Sequence, residues 1–322
     1  MCSLAAGRWL SPPPLLSARG AMTGVLLLMF GSAAKDDDLE AFLAEILGRA
    51  PTRAQVEDLR RRYSRIGWSP LVEITTDLAK KLADSLGDGF TVAVGARHGS
   101  PAIALGIEEL VQRGAERILA VTLAPQESPD SARYVQSVQE SLACLGEKAP
   151  EVVFVTAWWE RPDFITALGE RLRSFIRSHN LAADTVFMFT AHSLPSSMQG
   201  AGRYVDQLLA TAWKVAGCAG VDSRLCQLVF QSRGRFGRAE WLGPGLLEQI
   251  ELAGSQGVKQ IVVVPVQFLC DHLEVLYDID VQARELATAM GVSLLRPPMF
   301  NSDGDLVAVL SALVREGATA VA

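Results

Sequence analysis

The stretch Val264-Pro-Val-Gln-Phe-Leu-Cys-Asp-His-Leu-Glu-Val-Leu-Tyr-Asp278 carries an almost wholly apolar run, Gln260 to Leu269, straight into four titratable groups. Those groups are Asp271, His272, Glu274 and Asp278. Apolar strands of this kind belong to parallel sheets covered on both faces. In open α/β sheets, ligands sit beyond the carboxyl ends of the strands. Acid and imidazole groups at such an end are therefore poised over a cleft. A second strand, Thr185 to Thr190, ends in the same manner at Ala191-His192-Ser193-Leu194-Pro195. Two strand ends, each with an imidazole and one with carboxylates, point to metal or proton-transfer chemistry.

Outward from these strands, short apolar runs alternate with longer amphipathic segments, the pattern of βαβ units. It predicts strands at 25–30, 90–96, 117–123, 151–156, 185–190, 227–231, 260–268 and 292–295. Helices are expected between them, among them 37–47, 69–86, 101–113, 130–145, 162–178, 202–215, 246–255, 274–290 and 303–316. The chain also echoes itself. Gly114-Ala-Glu-Arg-Ile-Leu-Ala-Val-Thr-Leu enters one strand as Gly257-Val-Lys-Gln-Ile-Val-Val-Val-Pro-Val enters another. Aligning the two glycines sets Ser128 opposite Asp271. Met29-Phe30-Gly31-Ser32 ends its strand as Thr190-Ala191-His192-Ser193 ends another. The expected fold is α/β: two similar Rossmann-like lobes, each a parallel sheet flanked by helices, facing one cleft. The first lobe would span 22–160 and the second 161–322, with the last helix crossing back to the first.

Composition narrows the function. The chain has 322 residues, 49% hydrophobic and 20% charged, with formal net charge −6, enough for two lobes with proper cores. Mild acidity argues against a nucleic-acid partner, which would need clustered cations. The one short basic run, Arg60-Arg61-Arg62, reads as a solvated helix face. Five cysteines, at 2, 144, 218, 226 and 270, include no C-x-x-C pair. Neither a disulfide framework nor a zinc ribbon is indicated, nor does the spacing support an iron–sulfur cluster. Reduced thiols in a cytosolic protein fit best. No apolar run is long enough to span a bilayer. Residues 1–21, with Pro12-Pro13-Pro14, read as a disordered leader, and Met22 as a natural start.

Four histidines are present. His179 lies in a polar helix end and reads as solvent-exposed. His192 could merely sit in a capping loop, but its strand end faces a second polar cluster in an equivalent place. Glu274 could be an ordinary first-turn carboxylate favoured by the helix dipole. Yet Asp271, Glu274 and Asp278, spaced by three and four, would line one helical face. Like charges in line are costly unless a cation or proton is shared, so a cation path is expected there. His272 is open between ligand and structural roles. Arg97 and His98 stand at a further strand end, where Arg97 could meet an anion or pair locally. Gly31-Ser32 and Gly99-Ser100 are small enough to admit a ligand. No G-x-G-x-x-G or G-x-x-x-x-G-K-[ST] follows a strand, which removes the nucleotide-binding readings. Ser193 and Ser232 lack a nucleophile elbow, which removes a serine hydrolase.

Taken together, these segments resemble the ferrochelatase family. Thr190-Ala-His-Ser-Leu-Pro195 and Asp271-His-Leu-Glu-Val-Leu-Tyr-Asp278 carry the resemblance, with Gln231-Ser-Arg233, Trp241-Leu-Gly-Pro244 and Tyr63-Ser-Arg-Ile-Gly67. The pieces follow family order from about Gly24 to the C-terminal helix. The resemblance implies chelatase-type lobes and insertion of Fe(II) into a porphyrin with release of two pyrrole protons. It assigns His192 and Glu274 as the catalytic, metal-facing pair, with Asp278 and Asp271 as the acidic path. Phe30, Gly31, Ser32, Arg97, His98 and Ser193 would border the porphyrin. No cofactor is implied, since metal and macrocycle are both substrates.

The compact linker from Gly31 to Tyr63 is similar to that of coproporphyrin ferrochelatases, which implies coproporphyrin III as substrate and a soluble, cytoplasmic monomer. Protoporphyrin IX, or a non-catalytic tetrapyrrole or metal carrier, are the alternatives. Sirohydrochlorin-type chelatases share the fold but usually lack the motif pair. Three departures stand out. Phe30 replaces a usual tyrosine, Gln282 an outer glutamate, and Ile66-Gly-Trp-Ser-Pro70 is one residue shorter than the family loop. Trp68 could pack on the macrocycle or on neighbouring helices, and helix packing is expected.

Overall fold

In this computed structural model, which describes residues 22–234 and 239–320, apolar runs form two four-stranded parallel sheets. The leader expected at 1–21 lies outside the described residues. The first sheet holds β1 (Met22–Met29), β2 (Phe90–Ala96), β3 (Ala115–Thr122) and β4 (Glu151–Val155), in the order β2-β1-β3-β4. The second holds β5 (Val186–His192), β6 (Cys226–Gln231), β7 (Gln260–Pro265) and β8 (Ser293–Leu295), in the order β6-β5-β7-β8. The two orders are the same order, so the internal echo in the sequence is an echo of topology. In each sheet the first strand sits between the second and third, which makes its carboxyl end a switch point where the crossovers part. Phe30 follows β1 at one such point and His192 ends β5 at the other.

Helices cover both sheets. The first lobe supplies α1 (Leu39–Leu47), α2 (Arg53–Ile66), α3 (Leu71–Leu86), α4 (Ile103–Gln112) and α5 (Ser131–Ala143). Next come α6 (Pro162–Ser178), α7 (Ala201–Ala219) and α8 (Leu246–Ser255). A π-helix (Glu274–Ala283) runs into α9 (Arg284–Ala289), and α10 (Gly304–Ala320) ends the described chain. Coverage on both faces explains why the strands read as unbroken apolar runs: Val25, Leu26 and Leu27 are all fully buried. Each such leucine contributes roughly 1.5–3 kcal/mol of burial.

The helix α10 packs on α3 of the first lobe. Arg315 donates from Nη2 to the carbonyls of Ser85 and Leu86, at 3.0 and 3.1 Å. Gly317 lies so close to Leu119 of β3 that a Cβ there would meet its side chain at 3.0 Å. One apolar core therefore runs from Val25 through Phe189 to Val314, across both sheets. The lobes share an interior rather than merely touching.

Two departures from the expected elements bear on the site. The strand β7 ends at Pro265, three residues early, because the chain turns after Val266, whose N–H donates to Thr190. The helix expected over 274–290 is π-helical in its first ten residues, so the spacing of its faces changes. The arginine-rich α2 opens with a capping box, Thr52 and Gln55 bonding reciprocally at 3.3 and 2.9 Å. Its apolar side, Val56, Leu59 and Tyr63, packs with Leu39 and Phe42 against Leu273 and Tyr277. This small cluster ties the first lobe to the segment that carries Glu274. Trp68 joins it, its ring 5.2 Å from that of Tyr63.

Candidate active site

The backbone around His192 is fixed on every side. Its N–H donates to Gln267 Oε1 at 2.8 Å, and its carbonyl accepts from the Tyr204 hydroxyl at 3.0 Å. The next residue, Ser193, donates from N–H to the Gln231 carbonyl and from its hydroxyl to the Leu242 carbonyl, both at 2.8 Å. His192 Nδ1 meets the Ser193 carbonyl, which needs a proton on that nitrogen. Nε2 is thereby aimed across the cleft at Glu274 Oε1, 3.4 Å away.

Glu274 begins the π-helix, and its backbone carbonyl accepts from Gln231 Nε2 at 2.8 Å. Gln231 is the β6 partner of His192, so one residue steadies both sides of the pair. The second carboxylate oxygen of Glu274 lies 3.9 Å from His272 Nε2. His272 Nδ1 in turn faces the Cys270 carbonyl at 3.0 Å, and its ring lies 4.6 Å from that of Phe268. Asp278 is one step further along. It accepts from the Ser232 hydroxyl and lies 3.9 Å from Arg62 Nη1 of α2.

The charges are strongly coupled. Burial works against an imidazolium at His192, but the facing Glu274 carboxylate and the Ser193 carbonyl outweigh it and raise the group to about 9. Burial would likewise neutralise Glu274, yet His192 and then His272 hold it well below the usual carboxylate range. The resting pair is therefore imidazolium and carboxylate. Asp278 moves the opposite way, raised by burial and then by Glu274. Both His192 and Glu274 keep over a quarter of their side-chain surface open, at 30% and 26%, so a ligand can reach them.

On the first lobe, just past β1, Phe30 is exposed, with 40% of its surface free. Its ring makes an edge contact with His98, centroids 5.0 Å apart, and Arg97 Cζ lies 5.8 Å from the Phe30 ring centre. Arg97 is committed locally: Nη1 donates to Asp130 at 3.0 Å. His98 is buried between Phe30 and Phe42, and burial followed by Arg97 lowers it to about 4, so it is neutral. The expected basic pair thus presents no free cation.

Several residues expected at the ligand make close contacts within the protein. At Gly31 the missing side chain lets the His98 backbone approach; a Cβ there would stand 1.8 Å from the His98 carbonyl oxygen. Ser32 is buried, its hydroxyl 2.9 Å from that of Tyr63. Ser193 is fully buried on the Leu242 carbonyl, away from the cleft. Asp271 leaves the expected acidic line. It precedes the π-helix and pairs with Arg296 at 3.0 Å, while Asn301 Nδ2 donates to it at 2.9 Å. The basic run of α2 is not wholly solvated either: Arg62 faces Asp278 and lies 5.7 Å from the Tyr277 ring centre.

Residues that sequence reasoning did not place at the site are Arg62, Tyr204, Gln231 and Gln267. Polar residues at or just past strand ends flag Gln231 and Gln267, but nothing local flags Arg62 or Tyr204. His192 Nε2 and Glu274 Oε1, 3.4 Å apart, are spaced to sit side by side on one metal ion. Among the described residues no cluster of three or more His, Cys, Asp or Glu is arranged to hold a metal.

The ferrochelatase family model matches residues 22–318. A ferrochelatase of Deinococcus radiodurans is 32% identical over 308 residues, covering 93% of this chain and 97% of that protein. A coproporphyrin III ferrochelatase of Listeria monocytogenes is 33% identical over 305 residues, covering 91% and 97%. One from Anoxybacillus flavithermus is 33% identical over 303 residues, covering 90% and 95%. Among solved structures, the sirohydrochlorin chelatase SirB of Bacillus subtilis with Fe3+ superposes with a TM-score of 0.55 at 13% identity, covering 93% and 96% of the two chains. That likeness establishes a shared chelatase fold.

Proposed function

This chain belongs to the ferrochelatase family of metal-inserting enzymes, and we propose that it inserts Fe(II) into coproporphyrin III, displacing two pyrrole protons. The observation that carries this reading is the His192–Glu274 pair, 3.4 Å apart and open to the cleft. Fe(II) and the macrocycle are both substrates, so the site needs a base and a transient anionic donor and no organic cofactor.

The electrostatics couple metal arrival to base activation. As it stands, His192 holds a proton because Glu274 faces it, and an imidazolium accepts no proton. Fe(II) at the Glu274 carboxylate neutralises that charge and removes what held the His192 proton. His192 then releases it to water through the open cleft, takes one pyrrole proton as a neutral imidazole can, hands that to water and takes the second. Asp278, raised by burial and by Glu274, lies next along the helix and accepts a hydrogen bond from the Ser232 hydroxyl. His192 and Glu274 act as catalytic residues, while Phe30 offers a ring face to the macrocycle.

Coproporphyrin III is favoured over protoporphyrin IX by the compact Gly31–Tyr63 linker and by the names of several relatives. No helix among the described residues is long and apolar enough to cross a membrane. A soluble cytoplasmic monomer fits a substrate with four carboxylates. The test is anaerobic Fe(II) insertion with coproporphyrin III and protoporphyrin IX in parallel, followed by absorbance. Faster turnover of coproporphyrin supports the proposal. A preference for protoporphyrin overturns the substrate, and tight porphyrin binding with no metallation of either makes the protein a carrier.

A further inference from the structure

A single guanidinium ties the turn before the π-helix that carries Glu274 and Asp278 to a residue within that helix. Arg296 follows β8, with a tenth of its side chain exposed. Its Nε and Nη2 donate to the two Asp280 oxygens at 3.0 and 2.5 Å, and Nη2 also donates to Asp271 Oδ1 at 3.0 Å. Asp271 lies just before Glu274, and Asp280 just after Asp278. Asn301 braces the near end. It donates from Nδ2 to Asp271 Oδ2 at 2.9 Å and accepts the Asp271 N–H on Oδ1 at 2.8 Å. Its own N–H donates to the Leu269 carbonyl at 3.0 Å.

We propose that Arg296 is a positioning residue that clamps both ends of the Asp271–Asp280 segment and so holds the Glu274 carboxylate within reach of His192. The physical case is direct. Long π-helical runs are rare and need tertiary support. A charge-assisted, bidentate Arg–carboxylate contact is the strongest polar restraint a side chain offers, and its planar fork fixes direction as well as distance. The clamp joins the turn before the helix to its middle across the β8 loop, so releasing it frees Glu274 to move along the cleft. Lysine, a point charge without a fork, cannot hold both carboxylates in that geometry. Arg296 itself reaches neither His192 nor the cleft-facing carboxylate.

The inference rests on the proposed metal insertion for its kinetic readout, and hydrogen exchange tests it independently. In Arg296→Gln we expect kcat for Fe(II) insertion to fall on the order of 10–100-fold, as a misplacement of about 1 Å can cause. KM for porphyrin should change less than about twofold, since an interaction made only in the transition state is lost. Exchange should accelerate in peptides covering 272–283 and stay unchanged in those covering β1 and β2. Arg296→Lys should recover part of kcat. If Arg296→Gln fails to fold, Asp280→Asn, which keeps the cation and Asp271, carries the same expectations. Unchanged exchange over 272–283 overturns the clamp, as does a kcat within about threefold of the parent, or a loss that appears as weakened porphyrin binding. If the parent metallates no porphyrin, the proposed reaction fails, and the exchange result alone decides the clamp.

Discussion

His192 Nε2 and Glu274 Oε1 face each other at 3.4 Å, one at the end of β5 and the other at the start of the π-helix beyond β7. His192 comes directly from its strand, whereas Glu274 is reached through residues 266–273 and is steadied by the Gln231 amide on its carbonyl. That contact accounts for the directions in which the two groups are shifted, and the proposed mechanism rests on it.

The pair should leave a signature in stability against pH. His192 is raised from 6.5 to about 9, so its contribution is complete below about 6.5 and is lost as pH climbs through 9. Glu274 is depressed, so its contribution is present above 4.5 and is lost as pH falls well below that. The difference in unfolding free energy between the parent and His192→Asn should therefore be largest between these limits and shrink from pH 6.5 to 9. Urea titrations at several pH values measure it. A difference that grows toward pH 9 would refute the ion-pair assignment.

Glu274→Gln keeps the shape and removes the charge. We expect His192 to titrate below the parent's value of about 9, read from its imidazole NMR signals. Fe(II) insertion should fall by roughly 10²–10⁴, the scale of a lost acid–base partner. Retention of full activity would remove Glu274 from the mechanism.

The backbone beside Phe30 is tight. Gly31 has φ +99°, and a Cβ would collide with the His98 carbonyl. Gly31→Ala should destabilise the fold by about 2 kcal/mol or more, the scale of a strained left-handed residue with a clash. Thermal melting with a matched urea titration checks this. A neutral substitution would mean that the β1 and β2 turns separate easily.

Ser193 separates two accounts of the same motif. If it touched porphyrin, Ser193→Ala would raise KM. Buried on the Leu242 carbonyl, it should instead cost about 1–3 kcal/mol of stability, by leaving that acceptor unpaired, with KM unchanged. Parallel kinetics and denaturation distinguish the outcomes.

Much of the fold is legible in sequence because parallel strands announce themselves. Runs such as Leu26-Leu27-Leu28 and Ile261-Val262-Val263 admit little else, and the residues just past them fall at the cleft. His192, Glu274 and Asp278 stand out in that way. Arg62 is hidden because its meaning depends on a helix from the other lobe docking beside Tyr277, and a basic run reads locally as solvated. Asp271 misleads for a related reason. An acid three residues before another looks like part of a helical line, but the helix begins after it, and its partners Arg296 and Asn301 come from beyond β8. The π-helical winding of 274–283 has no local signature at all. Gly31, Ser32 and Ser193 show a limit of another kind, since smallness serves a close backbone or a buried hydroxyl as readily as a ligand.

The decisive variant for the proposed mechanism is His192→Ala, with porphyrin binding and metallation measured on the same preparation under anaerobic conditions. We expect coproporphyrin III to bind within a few-fold of the parent affinity, while Fe(II) insertion falls by at least about 10², the contribution of a positioned base. Insertion at an undiminished rate by a protein lacking the imidazole would contradict the central role given to His192 and Glu274.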